Sequence, residues 1–167
     1  IEPGWYSDDM NVEFPEVDMP GSSGWYPGPG VVDGVYYDHV LNSGRYALYN
    51  LRLSGSSKVL VRGDAKLVVN NNISLSGQSS IMIEDDASLQ IYMNGASADI
   101  AGNGVINETG NALNFQYWGG PNNTSVKLAG NSAFVGTIYA PDAHLTMGGG
   151  GSDIWDFIGA GIADSIE

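Results

Sequence analysis

The sequence has no cysteine, few basic residues and no long hydrophobic run. The absence of cysteine excludes disulfides, thiolate chemistry and zinc–thiolate sites. Only six Lys or Arg residues stand against 19 Asp or Glu residues, so the net charge is −13. Such acidity argues against nucleic acid or an anionic membrane surface as a partner. No stretch approaches the roughly 18 apolar residues of a membrane span, and we predict no membrane insertion within this segment.

Glycine and small polar residues are abundant instead. The chain of 167 residues contains 24 Gly, and only 15% of its residues are charged. Gly, Asn and Ser supply the positive-φ and self-capping conformations that tight turns require. Runs of helix formers are missing, so the composition predicts one all-β domain in which short strands alternate with turns.

Residues 1–44 differ from the rest of the chain. They carry eight acidic residues, no Lys or Arg, and five of the seven prolines. Proline without hydrophobic periodicity disfavours a helix or a central strand, but Trp and Tyr are unusual in disordered segments. We therefore predict an extended, irregular arm at 1–44 that packs on one end or one flank of the body, which comprises 45–167.

The body shows short apolar clusters at intervals of about seven or eight residues. Examples are Val59-Leu60-Val61, Leu67-Val68-Val69, Ile73-Ser74-Leu75 and Ile81-Met82-Ile83. An antiparallel sandwich and a parallel solenoid both fit such strands, but Asn-Gly and Asp-Gly hairpin signals are scarce. We predict a right-handed parallel β-helix with three-strand rungs of roughly 22 to 24 residues. Residues that suggest this larger period are Val59, Ile83, Ile106 and Leu128.

Two local features fit the corners of such a helix. The run Asn70-Asn71-Asn72 suits a corner at which Asn in the left-handed conformation stacks on its neighbour. Pro141 should end the strand that contains Ile138-Tyr139, because proline cannot donate to a strand ladder. The segment Ile154–Ile158 is expected to cover the far end of the stack.

One stretch resembles a known pattern. Residues 130–143, Gly-Asn-Ser-Ala-Phe-Val-Gly-Thr-Ile-Tyr-Ala-Pro-Asp-Ala, followed by Leu-Thr-Met-Gly-Gly at 145–149, are similar to a motif of bacterial surface proteins. The motif belongs to a β-solenoid domain of the kind found behind PilX-like pilus-assembly segments. The similarity extends over about 45–166. It implies a cell-surface or pilus-associated setting and no reaction, and it assigns no catalytic residue.

Acidic residues supply the candidates for chemistry. Many parallel β-helices are polysaccharide lyases or hydrolases, and an inverting glycosidase needs two carboxyl groups about 6.5–9.5 Å apart. Asp85 and Asp86, combined with Asp64 or Asp99, are the candidates. However, paired Asp residues at a turn usually cap their own backbone. We therefore predict no catalytic residue and no enzyme.

Calcium is a possible cofactor, although no EF-hand or calcium-binding glycine-rich repeat is present. His39 and His144 stand alone, without metal-ligand spacing, and are expected to be isolated surface histidines. Candidate calcium ligands are Asp8, Asp9, Asp85, Asp86, Asp153 and Asp156.

Two Trp-Tyr pairs occur in the arm, Trp5-Tyr6 and Trp25-Tyr26. They could form a stacking platform for sugar rings or for a protein partner. Alternatively, they anchor the arm to the body, because an extended segment without its own core needs such contacts.

These features predict a non-enzymatic structural or adhesive domain of a bacterial cell-surface or pilus-associated protein. A surface glycan or a protein is the expected partner. A carbohydrate-active enzyme that uses Asp carboxylates and a calcium-dependent binding module remain as alternatives. The start at Ile1-Glu2-Pro3, without signal peptide or initiating Met, suggests a part of a longer extracellular protein.

Overall fold

The computed structural model describes residues 13–130, 133–148 and 157–167. In these ranges the chain forms strands, joined by turns and one short 3-10 helix at Ala112–Asn114. No helix in the described ranges is long and apolar enough to cross a membrane.

An antiparallel hairpin begins the folded part, formed by β1 (Gly30–Val32) and β2 (Val35–Tyr37). Asp33 and Gly34 connect the two strands, and both have positive φ values, 49° and 79°. Two consecutive positive φ values are typical of the type I′ turn, whose twist matches that of a two-stranded ribbon. The predicted irregular arm therefore contains one regular element.

All further strands stack in parallel on three faces, which form a solenoid of about five turns. The first face contains β4 (Gly44–Leu48), β7 (Asp64–Val69), β10 (Ser88–Met93), β13 (Phe115–Gly119) and the first part of β15 (Phe134–Met147). The second face contains β5 (Leu51–Leu53), β8 (Asn72–Leu75), β11 (Ser97–Ile100), β14 (Ser125–Leu128) and the second part of β15. The third face contains β3 (His39–Leu41), β6 (Lys58–Val61), β9 (Ser80–Ile83) and β12 (Gly104–Asn107). The last strand, β16 (Phe157–Ile166), pairs along β15.

The parallel pairing confirms the predicted all-β solenoid, while its right-handed sense stays a prediction. Most of the residues that we expected at equivalent positions of successive rungs do not lie opposite one another. Val59 lies opposite Ile81, not Ile83, and Leu128 belongs to the second face. The rungs differ in length, so equal spacing along the chain does not identify equivalent positions.

The core consists of the inward side chains of successive rungs. One column on the first face runs through Leu67, Ile91, Tyr117 and Ile138, each at most 3% exposed. Several strands alternate buried and more exposed residues, as β10 and β13 do. Each rung covers the apolar side chains of its neighbours, so the core runs along the stack axis.

The corner at Asn70-Asn71-Asn72 agrees in part with the prediction from the sequence. Asn71 donates from Nδ2 to Oδ1 of Asn50, 3.1 Å away in the rung before it, so the predicted Asn stack is present. The left-handed conformation predicted for Asn at this corner is absent, because Asp33 is the one non-glycine residue with positive φ in the described ranges.

Pro141 does not end a strand. β15 runs through it, and the strand's pairing with β16 shifts between Ala140 and His144. Ala140 and Ala143 are buried on either side of this irregularity, and the strand passes from the first face to the second there. The bend accommodates the missing N–H of proline without breaking the strand.

Stacking begins before the predicted boundary at Arg45. β3 already pairs with β6 in parallel, His39 opposite Val59. Upstream of it, Trp25 forms an isolated parallel bridge with Tyr46, and the carbonyl of Gly28 accepts from the Val40 amide at 2.9 Å. Thus Trp25 and Gly28 pair with the outer edges of the first rung. We call this rung together with the segment from Trp25 to Tyr37 the first end.

Candidate functional site

Three aromatic side chains lie on the outside of the first face. Tyr92 of β10, Trp118 of β13 and Tyr139 of β15 occupy the same register position, so their rings follow one another along the stack. The Tyr92 and Trp118 rings are nearly parallel, with centroids 6.3 Å apart and planes at 14°. The Trp118 and Tyr139 centroids are 5.7 Å apart at 48°. We call these three residues the aromatic ladder.

The N-terminal arm crosses this face parallel to the stack axis. Its first attachment is at Tyr139, whose hydroxyl donates to the Pro15 carbonyl at 2.6 Å. Further along, Asn70 donates to the Ser22 carbonyl at 3.1 Å, and Arg45 donates to the Gly21 carbonyl at 2.8 Å. The arm therefore lies on a flank of the body, one of the two positions predicted for it.

A groove of about 500 Å³ opens between the arm and the ladder. Its floor consists of the three ladder rings, and its other side is formed by arm residues Phe14, Pro15, Glu16, Val17 and Asp18. Most of this lining is carbon. Concave, largely apolar sites with a few polar groups are the usual form of small-molecule sites.

The groove has a few polar groups, which are two carboxylates, tyrosine hydroxyls and the indole N–H of its tryptophan. Glu16 and Asp18 are the charged residues of the lining, and both are exposed. Burial raises the pKa of the Tyr92 hydroxyl above its ordinary value, and the negative charge of Asp18 raises it further. The Nε1 donor of Trp118 is buried and has no hydrogen-bond partner among the described residues.

The predicted stacking residues lie elsewhere. Trp5 and Tyr6 fall outside the described residues. Trp25 and Tyr26 reach the first end, where their side chains are 81% and 74% exposed. Trp25 is held by its backbone, which pairs with Arg45 and Ala47, and the Tyr26 ring meets the His39 ring edge to face at 5.9 Å. Neither residue joins the aromatic ladder.

Of the candidate catalytic acids, Asp64 and Asp86 lie in adjacent rungs, since Asp64 is opposite Ser88, and Asp99 lies apart from them on the second face. Asp64 begins β7 and accepts from the Ser88 hydroxyl at 2.7 Å. Asp99 lies in β11 on the second face, 4.0 Å from the ammonium group of Lys127. Asp85 and Asp86 form a turn before β10, where both are exposed. This placement gives Asp64 and Asp99 local partners of their own.

Metal ligands were predicted among acidic residues. Within 13–130, 133–148 and 157–167, no group of three or more His, Asp or Glu side chains could hold a metal ion. Asp8, Asp9, Asp153 and Asp156 lie outside the described residues, so calcium binding stays a prediction.

Each of the two histidines contacts a neighbouring segment of the chain. His39 Nδ1 lies 2.8 Å from the Pro27 carbonyl and holds the arm at the first end. His144 Nδ1 lies 2.8 Å from the Ser165 hydroxyl, which links β15 to β16. Both therefore attach neighbouring segments to one another.

The sequence did not reveal the aromatic ladder because its members are unequally spaced along the chain. The 3-10 helix at Ala112–Asn114 lengthens the rung between Tyr92 and Trp118, whereas the described residues of the next rung contain no such insertion. The one available signal was local. Each ladder residue alternates with buried neighbours, as Trp118 does between Tyr117 and Gly119.

Comparison with known proteins gives one match. The family model described as a domain of unknown function, DUF7305, matches residues 29–167. The match includes the three ladder residues and the hairpin, and it leaves out the arm residues that line the groove. No curated protein and no solved structure matches the chain.

Proposed function

We propose that this chain, which belongs to the DUF7305 family, is a non-enzymatic structural or adhesive domain of a bacterial cell-surface or pilus-associated protein. The observation that carries the proposal is a rigid parallel stack with large apolar side chains exposed at its first end. The stack would serve as a spacer, and the first end would contact a surface glycan or protein.

The stack has the properties of a spacer. Every rung from β4 to β15 is joined to the next by a parallel ladder, and the core column is continuous from rung to rung. Such contacts between neighbouring repeats resist bending and local opening together.

The first end has the composition of a contact surface. Val31 and Tyr36 lie directly opposite each other in the hairpin and are 67% and 60% exposed. Trp25 and Tyr26, in the segment before the hairpin, are exposed still further. Tyr and Trp are enriched at interfaces because each combines a large apolar area with a polar group. Exposed apolar patches of this kind commonly mark interaction sites.

The cell-surface setting is supported by the resemblance of residues 130–149 to the surface β-solenoid motif and by the net charge of −13. Its test is to label intact cells with an antibody against the domain, before and after external protease treatment. Protease-sensitive labelling of intact cells is expected. Signal that appears only after lysis would contradict the surface setting.

Adhesion is tested with the fluorescent domain added to intact bacterial cells and to isolated envelope glycans. The triple variant Trp25→Ser, Tyr26→Ser, Tyr36→Ser should bind at least about tenfold more weakly, because such aromatic anchors dominate many interfaces. Leu113→Ser is the matched control, since Leu113 is 64% exposed within the 3-10 helix, away from the first end. Equal loss in both variants would show non-specific apolar sticking and contradict the proposal.

A further inference from the structure

We propose that the groove between the aromatic ladder and the arm binds a quaternary ammonium ion. This site is separate from the first end, and its residues have no part in the proposed adhesive function. The inference rests on three properties of the groove, which are its aromatic rings, its charge and its carbon lining.

The rings offer the geometry that an organic cation needs. Tyr92 and Trp118 stand nearly parallel and Tyr139 is tilted beside them, so three electron-rich ring systems line one side of the groove. A cation within about 6 Å of such a ring is attracted by its quadrupole, most strongly by Trp. Aromatic surroundings are the usual recognition device for quaternary ammonium groups.

The charge of the groove has the complementary sign. Glu16 and Asp18 line it, and its lining contains no Lys or Arg. The field of Asp18 reaches the floor, because it contributes to the raised pKa of Tyr92. A cation in the groove would therefore be attracted both by the carboxylates and by the aromatic rings, whereas an anion would be repelled.

The carbon-rich lining distinguishes a methylated ammonium from a primary one. A primary ammonium brings three N–H donors that must be satisfied. Apart from the Glu16 and Asp18 carboxylates and the Tyr hydroxyls, the lining presents carbon. A quaternary ammonium has no donor to satisfy and makes van der Waals contact through its methyl groups. A neutral sugar would gain no attraction from the negative charge of Glu16 and Asp18.

The size of the site is consistent with a small ligand. A volume of about 500 Å³ lies within the roughly 300–1,000 Å³ range of small-molecule sites. Choline is a small molecule that carries the quaternary ammonium group, and it is the probe we choose.

The test is calorimetric titration of the full chain with choline and with its neutral isostere 3,3-dimethylbutan-1-ol. Choline should bind at least about tenfold more tightly, since the two molecules have the same shape and differ in charge. Equal affinity, or preference for the isostere, would overturn the proposal. Methyl glucoside serves as the probe for sugar binding, and tighter binding of the glucoside than of choline would also overturn it.

Substitutions inside and outside the groove test whether choline binds there. Trp118→Leu should abolish measurable choline binding, while Trp118→Phe should retain part of it because a ring remains. Trp25→Leu is the matched control and should bind as the wild type does, since Trp25 is exposed at the first end. Asp18→Asn changes an exposed arm residue without loss of volume and should weaken binding severalfold. If Trp118→Leu and Trp25→Leu have the same effect, the groove is not the site.

The outcome is independent of the adhesive function. The Trp25→Ser, Tyr26→Ser, Tyr36→Ser variant should keep its affinity for choline. A loss of choline binding in that variant would place the cation at the first end and overturn the assignment to the groove.

Discussion

The two ends of the stack deal differently with the problem that a last rung has no neighbour. At the first end, Trp25 extends the edge of β4 and Gly28 extends the edge of β3 through backbone hydrogen bonds. At the other end, β16 has one large inward side chain, Phe157, whose ring stacks on Phe134 with centroids 5.1 Å apart. Small residues occupy the inward positions that follow. Gly159 lies opposite the buried Gly136, and Gly161 lies opposite the buried Ile138.

The comparison shows two ways to finish a parallel solenoid. One end keeps large side chains and covers its edges with another segment of chain. In the other, the core narrows, because glycine in place of isoleucine leaves less apolar surface to hide. Within the described residues, β16 is the last strand of the stack, and most of its residues are exposed.

The sharpest test compares the middle of the stack with its last rung. Ile91 is fully buried in β10, and Ile166 is 55% exposed in β16. Ile91→Ala should lower the free energy of unfolding by about 2–5 kcal/mol, because it leaves a cavity between two closed rungs. Ile166→Ala should cost less than about 1 kcal/mol. Urea denaturation measures both, and similar losses would show that β16 is packed as tightly as the centre.

Glycine substitutions test how closely neighbouring backbone segments approach a glycine inside the stack and at the first end. A Cβ at Gly95 would collide with the backbone of Asn71 in the rung before it, whereas nothing lies within 4 Å of a Cβ at Gly28. Gly95→Ala should therefore cost about 1–3 kcal/mol of unfolding free energy by overpacking. Gly28→Ala should be neutral or slightly stabilising, since it restricts the unfolded chain. Thermal denaturation of the two variants decides the point, and equal melting temperatures would contradict it.

Alkaline pH should weaken the middle of the stack. Burial raises the pKa of the Tyr117 hydroxyl far above its ordinary value of 10.0, against a smaller opposing effect of its 2.9 Å hydrogen bond to Asn123. The pKa of Tyr117 is higher in the folded chain than in the unfolded chain. Its contribution to the free energy of unfolding is therefore complete below the unfolded pKa and is lost as pH rises above that value. Stability should fall by up to about 1.4 kcal/mol per pH unit above pH 10 on account of this residue.

Tyr117→Phe should reduce that slope, although it removes the partner of Asn123. Tyr36→Phe is the control at the first end, where the ring is 60% exposed, and it should leave the slope unchanged. The measurement is unfolding free energy between pH 9 and 11. An identical slope in Tyr117→Phe and wild type would contradict the assignment to Tyr117.

The arm should be the most weakly held part. Tyr139→Phe removes the hydroxyl that donates to Pro15, which should cost about 0.5–1.5 kcal/mol at most. The expected result is faster amide exchange at Gly21 and Trp25, with little change at the amides of β10. Tyr49→Phe is the control, because Tyr49 is 71% exposed in a turn. Uniform acceleration in Tyr139→Phe would show that the arm and the stack open together.

The sequence predicted the stack, but it did not predict the hairpin at the first end. The even spacing of short apolar clusters indicated a parallel solenoid, and the pairing of β4 to β16 agrees with it. The hairpin at Asp33-Gly34 was missed although its turn dipeptide stands between Val31-Val32 and Val35-Tyr36. The density of proline around it drew the interpretation toward an irregular arm.

The candidate site was less predictable than the fold. The predicted aromatic pairs lie outside the described residues or at the first end, and the groove uses Tyr92, Trp118 and Tyr139 instead. Its second side comes from Phe14–Asp18, more than a hundred residues from Tyr139 along the chain, as the separation of 124 residues between Pro15 and Tyr139 shows. No local sequence pattern predicts a contact between residues so far apart in the chain.

The sequence by itself determined that this protein is an acidic, cysteine-free stack of short strands, because alternation of apolar and turn residues is a local property. Only the tertiary structure decided which residues are neighbours across rungs. Rungs of unequal length hide the register from the sequence, and register places the aromatic ladder on one face, the arm over it and glycine on the last rung.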